Sequence, residues 1–201
     1  ILVVRSNGGV PTVEPLPFSE GLGEGRVSTL IGGRGLQYFL GNFDADTVAI
    51  IDPAEDEAYR LVDLPTRRVH FVVDPVRARF AYIFTEDGQL HQLDVLDGEI
   101  TRSVRVTGPY SMDGSFADPR PRVAVAGDSI VVTDPLEGKL HLIDAESFEV
   151  TGEIAVEGMP FNIVSVGGTG VVHGEDHDHS EDHDHDDDHD HDHEEDDHDH
   201  E

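Results

Sequence analysis

A repeat of about 42 residues constrains the fold of this chain more than any other feature of its sequence. Three apolar runs that each end in Asp align with one another, and each is followed by a turn, a further strand-like run and a proline. The runs end at Asp52, Asp94 and Asp144, and the prolines are Pro65, Pro109 and Pro160. Two further β-branched segments precede each run. Four short strands in each repeat predict the blade of a β-propeller.

We therefore expect an all-β fold in which residues 1–172 form a partial β-propeller of about three and a half four-stranded blades. The blades are predicted at 25–65, 66–108 and 121–160, with Tyr110 to Pro121 as an insertion. Residues 161–167 are predicted to be the innermost strand of another blade, and residues 1–4 the last strand of a preceding one. Closed propellers typically have four to eight blades, so we expect the C-terminal part of a larger ring. The alternative is a β-sandwich with coincidental spacing.

The last 29 residues, 173–201, differ from the rest of the chain and are called the acidic tail below. Ten of them are His and seventeen are Asp or Glu, and none is apolar, Lys or Arg. Such a segment cannot bury enough apolar surface to offset the entropy of ordering it. The acidic tail is therefore predicted to be disordered when no ligand is bound.

The histidines of the acidic tail predict a metal-binding segment, because imidazole and carboxylate groups are ligands of zinc. Most of them occur as His-Asp-His, so that two imidazoles at i and i+2 point the same way in an extended chain. With two to four His for each ion, roughly three to five zinc ions are expected at saturation, and uptake should fall below the ordinary His pKa of about 6.5. The predicted ligands are His173, His177, His179, His183, His185, His189, His191, His193, His198 and His200.

Other interpretations of the acidic tail explain less of its composition. A solubilising acidic run needs no histidine, and neither an EF-hand loop nor a glycine-rich calcium repeat is present in the sequence. A purification tag would be a plain histidine run. Nickel, cobalt and copper stay open beside Zn²⁺, because the same ligands accept all four metals.

The charge of the chain excludes two classes of partner. Residues 1–172 carry a net charge of −13 and the acidic tail carries −17, which together give −30. Both parts repel nucleic acid and anionic lipid. No apolar run reaches the roughly 18 residues needed to span a bilayer, so membrane insertion is not expected. The chain has no Cys, which rules out a thiolate metal site within this sequence.

Two segments, Ser129 to Asp144 and Glu157 to Val164, lie within the stretch Val123 to Gly168. This stretch resembles the periplasmic zinc metallochaperone propellers of the AztD type. The resemblance implies zinc binding, a periplasmic (or secreted) location, a signal peptide outside this sequence, and delivery of zinc to the solute-binding protein of a zinc ABC transporter. Members of that family carry metal-binding segments towards the front of the chain, whereas here the histidines lie at the back. The zinc ligands of the family are therefore not transferred to this chain.

Three further histidines lie in the predicted propeller. His91 and His141 occupy matched positions, each three residues before the repeat Asp, and such a position is more often used for packing than for ligand binding. His70 is predicted on an innermost strand, close to the channel where propellers bind ligands. All three are secondary candidates for metal binding.

Two other functional classes remain as alternatives. Related propellers include lactonase-like enzymes, but no nucleophile elbow, phosphate-binding loop or zinc-protease motif is present in the sequence. We therefore do not expect an enzyme. A propeller that only binds another protein, with a tail that buffers metal, is the second alternative.

Overall fold

The computed structural model describes residues 1–166, except residues 7, 19–21, 24, 34 and 116. The acidic tail and residues 167–172 lie outside the described residues, and so do the predictions of tail disorder and of ten metal-binding histidines. The regular elements of the described part are β-strands. Within it there is no helix that is long and apolar enough to cross a membrane.

The strands form three four-stranded antiparallel sheets and one hairpin. The hairpin consists of β1 (Leu2–Arg5) and β2 (Thr12–Pro15). The first blade contains β3 (Leu30–Ile31), β4 (Phe39–Asn42), β5 (Thr47–Ile51) and β6 (Tyr59–Asp63). The second blade contains β7 (Arg68–Val73), β8 (Phe80–Thr85), β9 (Gln89–Asp94) and β10 (Glu99–Arg105). The third blade contains β11 (Val123–Ala126), β12 (Ser129–Asp134), β13 (Lys139–Asp144) and β14 (Val150–Ala155).

In each blade the strands pair in chain order, as consecutive antiparallel neighbours. All three predicted blades are therefore present at the predicted places, and the prediction of a partial β-propeller is confirmed. The predicted insertion between the second and third blades contains no strand among its described residues.

Two details of the prediction were wrong. Residues 161–166 form no strand; this β-branched segment pairs with no strand of the described part, and Val164 and Val166 are 81% and 87% exposed. The strand at the front of the chain is not the last one before the first blade, because β1 pairs with β2. Gly8, with a φ of 77°, lies in the connection between them, where a left-handed residue lets the chain reverse.

The repeat Asp has a structural explanation in the turn that follows the third strand of each blade. The carboxylate Oδ1 of Asp52 accepts a hydrogen bond from the backbone N–H of Ala54 at 2.9 Å. Asp94 accepts one from Leu96 at 3.1 Å, and Asp144 one from Ser147 at 2.7 Å. These Asx turns fix the reversal into the fourth strand. The Asp that made the repeat visible is therefore a turn-forming residue.

The same turn contains a left-handed residue, four positions after the Asp, in the second and third blades. It is Gly98, with a φ of 72°, in the second blade and Phe148, with a φ of 61°, in the third. This conformation costs a non-glycine residue about 1–2 kcal/mol. Phe148 is 4% exposed and its ring stacks on that of Tyr82 with 6.0 Å between the centroids. Burial of the ring offsets the backbone cost.

Two of the three apolar clusters in the described part lie between blades, and the third packs side chains of the first blade, such as Ile51 and Tyr59, against Ile1 and Leu16 at the front of the chain. One cluster joins the first and second blades, and another joins the second and third. Successive side chains of β8 belong to different clusters: Ala81 and Ile83 pack towards the first blade, and Tyr82 and Phe84 towards the third. Because both faces of β8 are covered, its sequence is continuously apolar instead of alternating.

Candidate functional site

His91 and His141 occupy equivalent positions on the third strands of successive blades. His91 on β9 lies opposite Ile83 and Ser103, and His141 on β13 lies opposite Val132 and Glu153. Both are buried, with 1% and 4% of their surface exposed. The equivalent position of the first blade is Ala49, which is also buried. A position that is alanine in one blade and histidine in the other two is used mainly for packing.

Both ring nitrogens of His91 have partners. Nε2 lies 2.9 Å from Thr85 Oγ1, and Nδ1 lies 2.7 Å from Ser103 Oγ. Burial lowers the pKa of His91, although the nearby Asp87 carboxylate opposes that shift. A neutral ring with one donating and one accepting nitrogen satisfies both hydroxyl groups. His91 is therefore occupied by the hydrogen bonds of its own blade.

His141 has carboxylates where His91 has hydroxyl groups. Its Nε2 lies 3.3 Å from Asp134 Oδ2, and its Nδ1 lies 3.4 Å from Glu153 Oε1. The hydroxyl of Tyr110 donates to Asp134 Oδ1 at 2.5 Å and accepts the N–H of Leu136 at 2.9 Å. This buried network fixes the start of the insertion to the third blade.

The described residues contain no group of three or more His, Asp or Glu side chains arranged to hold a metal ion. Asp52, Glu55, Asp56 and Glu57 line a cavity of about 660 Å³ beside the first blade. These four carboxylates do not form such a group either. The structure therefore does not bring the three propeller histidines together into one site. The ten histidines of the acidic tail lie outside the described residues, and metal binding by them stays a prediction.

His70 lies on β7, at the edge of the second blade that faces β11 of the third. It is half-buried, and its Nδ1 accepts the backbone N–H of Val123 at 3.1 Å. Burial, assisted by the positive charge of Arg122, lowers the pKa of His70 from 6.5 to about 4. The ring is therefore neutral at pH 7 and its Nε2 carries the proton.

The lowered pKa of His70 makes stability depend on pH. The unfolded chain takes up the proton near pH 6.5 and the folded chain only near pH 4, so the contribution is complete above about pH 6.5. It is lost as the pH falls to about 4, at an expected cost of about 1–3 kcal/mol. We expect urea unfolding at a series of pH values to show this loss. His70→Asn keeps an acceptor for Val123 and cannot titrate, so a difference between the two proteins that is independent of pH would contradict the assignment.

Three arginines line a cavity of about 410 Å³ around His70, called the arginine cleft below. Its charged side chains are Arg68, Arg120 and Arg122, and Thr29, Asn42 and Met112 also line it. Sequence reasoning did not identify this cleft. A signal was available, since Arg68 and Arg122 each precede a valine at the start of the first strand of a blade.

Comparison with known proteins gives a close match. The chain is 60% identical over 178 residues to a protein of Citrobacter koseri named zinc chaperone AztD; the match covers 89% of this chain and 42% of that protein. The resemblance to the AztD proteins is confirmed. Because the matched protein is named a chaperone, the enzyme alternative has no support from it.

Solved structures agree with this match. The crystal structure of Citrobacter koseri AztD superimposes with a TM-score of 0.80, at 60% identity, and covers 86% of this chain and 46% of that one. The structure of apo AztD from the same organism gives a TM-score of 0.79, with coverages of 81% and 44%. The chain thus spans less than half the length of the AztD proteins that it matches. No protein-family model matches the chain.

Proposed function

We propose that this chain is part of a zinc chaperone of the periplasm that collects Zn²⁺ through the acidic tail and passes it to the solute-binding protein of a zinc ABC transporter. The observation that supports this most is the 60% identity to a protein named zinc chaperone AztD. Zinc is the cargo in this proposal. The collecting role of the tail and the identity of the acceptor rest on the tail composition and on the family resemblance.

The composition of the acidic tail suits reversible loading. Its imidazoles are neutral ligands above about pH 6.5, and each intervening Asp can ligate directly or accept the free ring N–H. Because the chain loses conformational freedom when it binds, the affinity for each ion is moderate. A collecting segment needs that property, since an ion that is held too tightly is not released to an acceptor.

The propeller has a complementary role in this proposal. His91 and His141 are fully engaged within their blades, and no metal-binding group exists among the described residues. The described part of the propeller is therefore assigned the task of presenting a docking surface. Rigid blades with cores between them provide such a surface at little entropic cost.

Direct transfer of zinc tests the proposal. The zinc-loaded chain is mixed with the zinc-free solute-binding protein in the presence of a chelator that captures any released ion. Docking raises the local concentration of the acceptor to the millimolar range, so we expect zinc to reach the acceptor about tenfold faster than it does from a zinc–citrate solution of equal free zinc. The zinc content of the separated acceptor is measured over time.

Two controls use the same acceptor. In the first, it is mixed with the zinc-loaded chain at high ionic strength, and in the second, with an unrelated zinc-loaded protein. Filling of the acceptor at the rate at which zinc leaves the chain in the absence of acceptor would contradict the chaperone role. It would leave zinc binding by the tail as a separate finding.

A further inference from the structure

The arginine cleft concentrates positive charge on an otherwise acidic body. Residues 1–172 carry a net charge of −13, yet Arg68, Arg120 and Arg122 line one cavity of about 410 Å³. A cavity that gathers charge of one sign focuses the electrostatic field and attracts ions of the opposite sign. The ligand of this cavity is therefore expected to be an anion.

The three guanidinium groups of the cleft are not neutralised by carboxylates. Other arginines of the described part, such as Arg67 and Arg79, pair with Glu86 and Asp94. Among the described residues, by contrast, no carboxylate lies within 4.0 Å of the guanidinium nitrogens of the cleft. The positive charge of the cleft is thus available to a ligand.

Two of these arginines already have structural hydrogen bonds. Arg68 donates to the carbonyl oxygens of Asp44 at 2.8 Å and Thr47 at 3.1 Å. Arg120 donates to the carbonyl oxygens of Ser111 at 3.0 Å and Asp113 at 3.1 Å. Each guanidinium has five N–H donors, and these hydrogen bonds use only some of them. Both side chains are therefore held at the cleft and keep N–H donors for a ligand.

Arg122 is the free member of the set. Its guanidinium lies 5.1 Å from the centroid of the Phe161 ring, and no hydrogen bond of this side chain occurs among the described residues. Burial lowers the pKa of Arg122, and the charge of Arg120 lowers it further. Burial deprives the guanidinium of solvent, and the nearby charge of Arg120 is not balanced by a counter-ion among the described residues. A bound anion would supply that counter-ion.

His70 adds a neutral donor to the same wall. Its Nδ1 is engaged by the N–H of Val123, so the N–H of the ring is at Nε2. A neutral donor beside guanidinium groups suits an oxygen acceptor. The neutral state persists down to about pH 4, which is the lowered pKa of this ring.

We propose that the arginine cleft binds a carboxylate on a carbon skeleton, with Arg122 as its principal anchor. The guanidinium fork matches the two oxygens of a carboxylate. Ile31, Phe71 and Met112 also line the cavity, and these apolar groups favour a ligand with carbon atoms over a bare inorganic anion. The carboxylate belongs either to a small organic acid or to Asp and Glu side chains of a partner protein. The proposal does not depend on zinc chaperoning.

Calorimetric titration of the zinc-free full chain tests the proposal at low ionic strength. The probes are citrate, a hexa-glutamate peptide and inorganic phosphate. We expect citrate, the peptide or both to bind more tightly than phosphate. Arg122→Gln should weaken that binding about tenfold, since it removes a charge-assisted bidentate contact. Arg122→Lys, which keeps the charge and loses the fork, should give an intermediate value.

Arg105→Gln is the matched control, because Arg105 is exposed and its guanidinium contacts only the carbonyl oxygen of Asp87 in the described part. It should bind like the unaltered chain. Tighter binding of citrate identifies a small acid as the ligand class, and tighter binding of the peptide identifies an acidic protein segment. The proposal is overturned by the absence of binding at millimolar concentration, by phosphate binding as tightly as the carboxylates, or by equal affinity in Arg122→Gln. Circular dichroism confirms that each variant is folded.

Discussion

Replacement of all ten histidines of the acidic tail by glutamine is expected to abolish most of the zinc capacity of the chain. Saturation should fall from roughly three to five ions to less than one, because tetrahedral zinc sites need nitrogen ligands that carboxylates alone replace poorly. The variant keeps all seventeen acidic residues of the tail, so nonspecific attraction of cations is unchanged. Equilibrium dialysis followed by metal analysis measures the number of bound ions.

A matched control replaces ten acidic residues of the acidic tail by Asn or Gln and keeps every histidine. This control should retain most of the zinc, with a lower affinity, since it loses negative charge and the carboxylates that accept the free ring N–H of a ligating histidine, but keeps the imidazoles. Equal zinc capacity in the histidine variant and in the unaltered chain would show that the ligands lie elsewhere. The histidine variant should also lose the steep fall in uptake below about pH 6.5, since protonation of imidazole is its cause.

Asp74→Ala is expected to destabilise the propeller by about 3–5 kcal/mol. The side chain of Asp74 is fully buried after β7, and it accepts hydrogen bonds from the hydroxyl of Tyr82 at 2.8 Å and from the N–H groups of Val76 and Arg77 at 2.8 and 2.9 Å. Arg77 Nη1 lies 3.3 Å from Oδ2, the oxygen that also accepts the Tyr82 hydroxyl, whereas the two N–H groups donate to Oδ1. Removal of the carboxylate leaves the buried hydroxyl of Tyr82 and two partly buried backbone N–H groups without this acceptor, and that is more costly than the loss of a surface contact.

Urea unfolding followed by circular dichroism measures the effect of Asp74→Ala. The comparison is Asp97→Ala, because Asp97 pairs with Arg79 at 2.8 Å and its side chain is 60% exposed. Such an exposed pair contributes about 0–1 kcal/mol. If both variants unfold at the same urea concentration, then the buried Asp74 network does not stabilise the fold as described.

The blades could be predicted from the sequence because their signal is local. Each repeat Asp forms a hydrogen bond within three residues of itself, so the same turn leaves the same mark at Asp52, Asp94 and Asp144. The composition of the acidic tail is likewise visible without any structure. Both features depend on neighbours in the sequence and need no knowledge of which blades meet.

The repeated Arg-Val pairs mark two arginines of the cleft, but the meeting of the cleft residues in space could not be predicted in the same way. His70 and Val123 are 53 positions apart, and they meet only because β7 and β11 belong to adjacent blades. The left-handed Phe148 gives no sequence signal either, since its conformation is compensated by a ring that it meets in the second blade. Residues 161–166 misled the prediction because a β-branched run suggests a strand whether or not a partner strand is available.

The placement of the apolar clusters determines which blades are affected by a substitution in the core. Side chains of the second blade divide between two clusters, whereas the first and third blades share none with each other. In their apolar packing the three blades therefore behave as a short linear array, in which each blade packs only on its immediate neighbour. Core substitutions in the first and third blades are expected to be independent of each other, while every apolar substitution in β8 must suit one neighbour or the other.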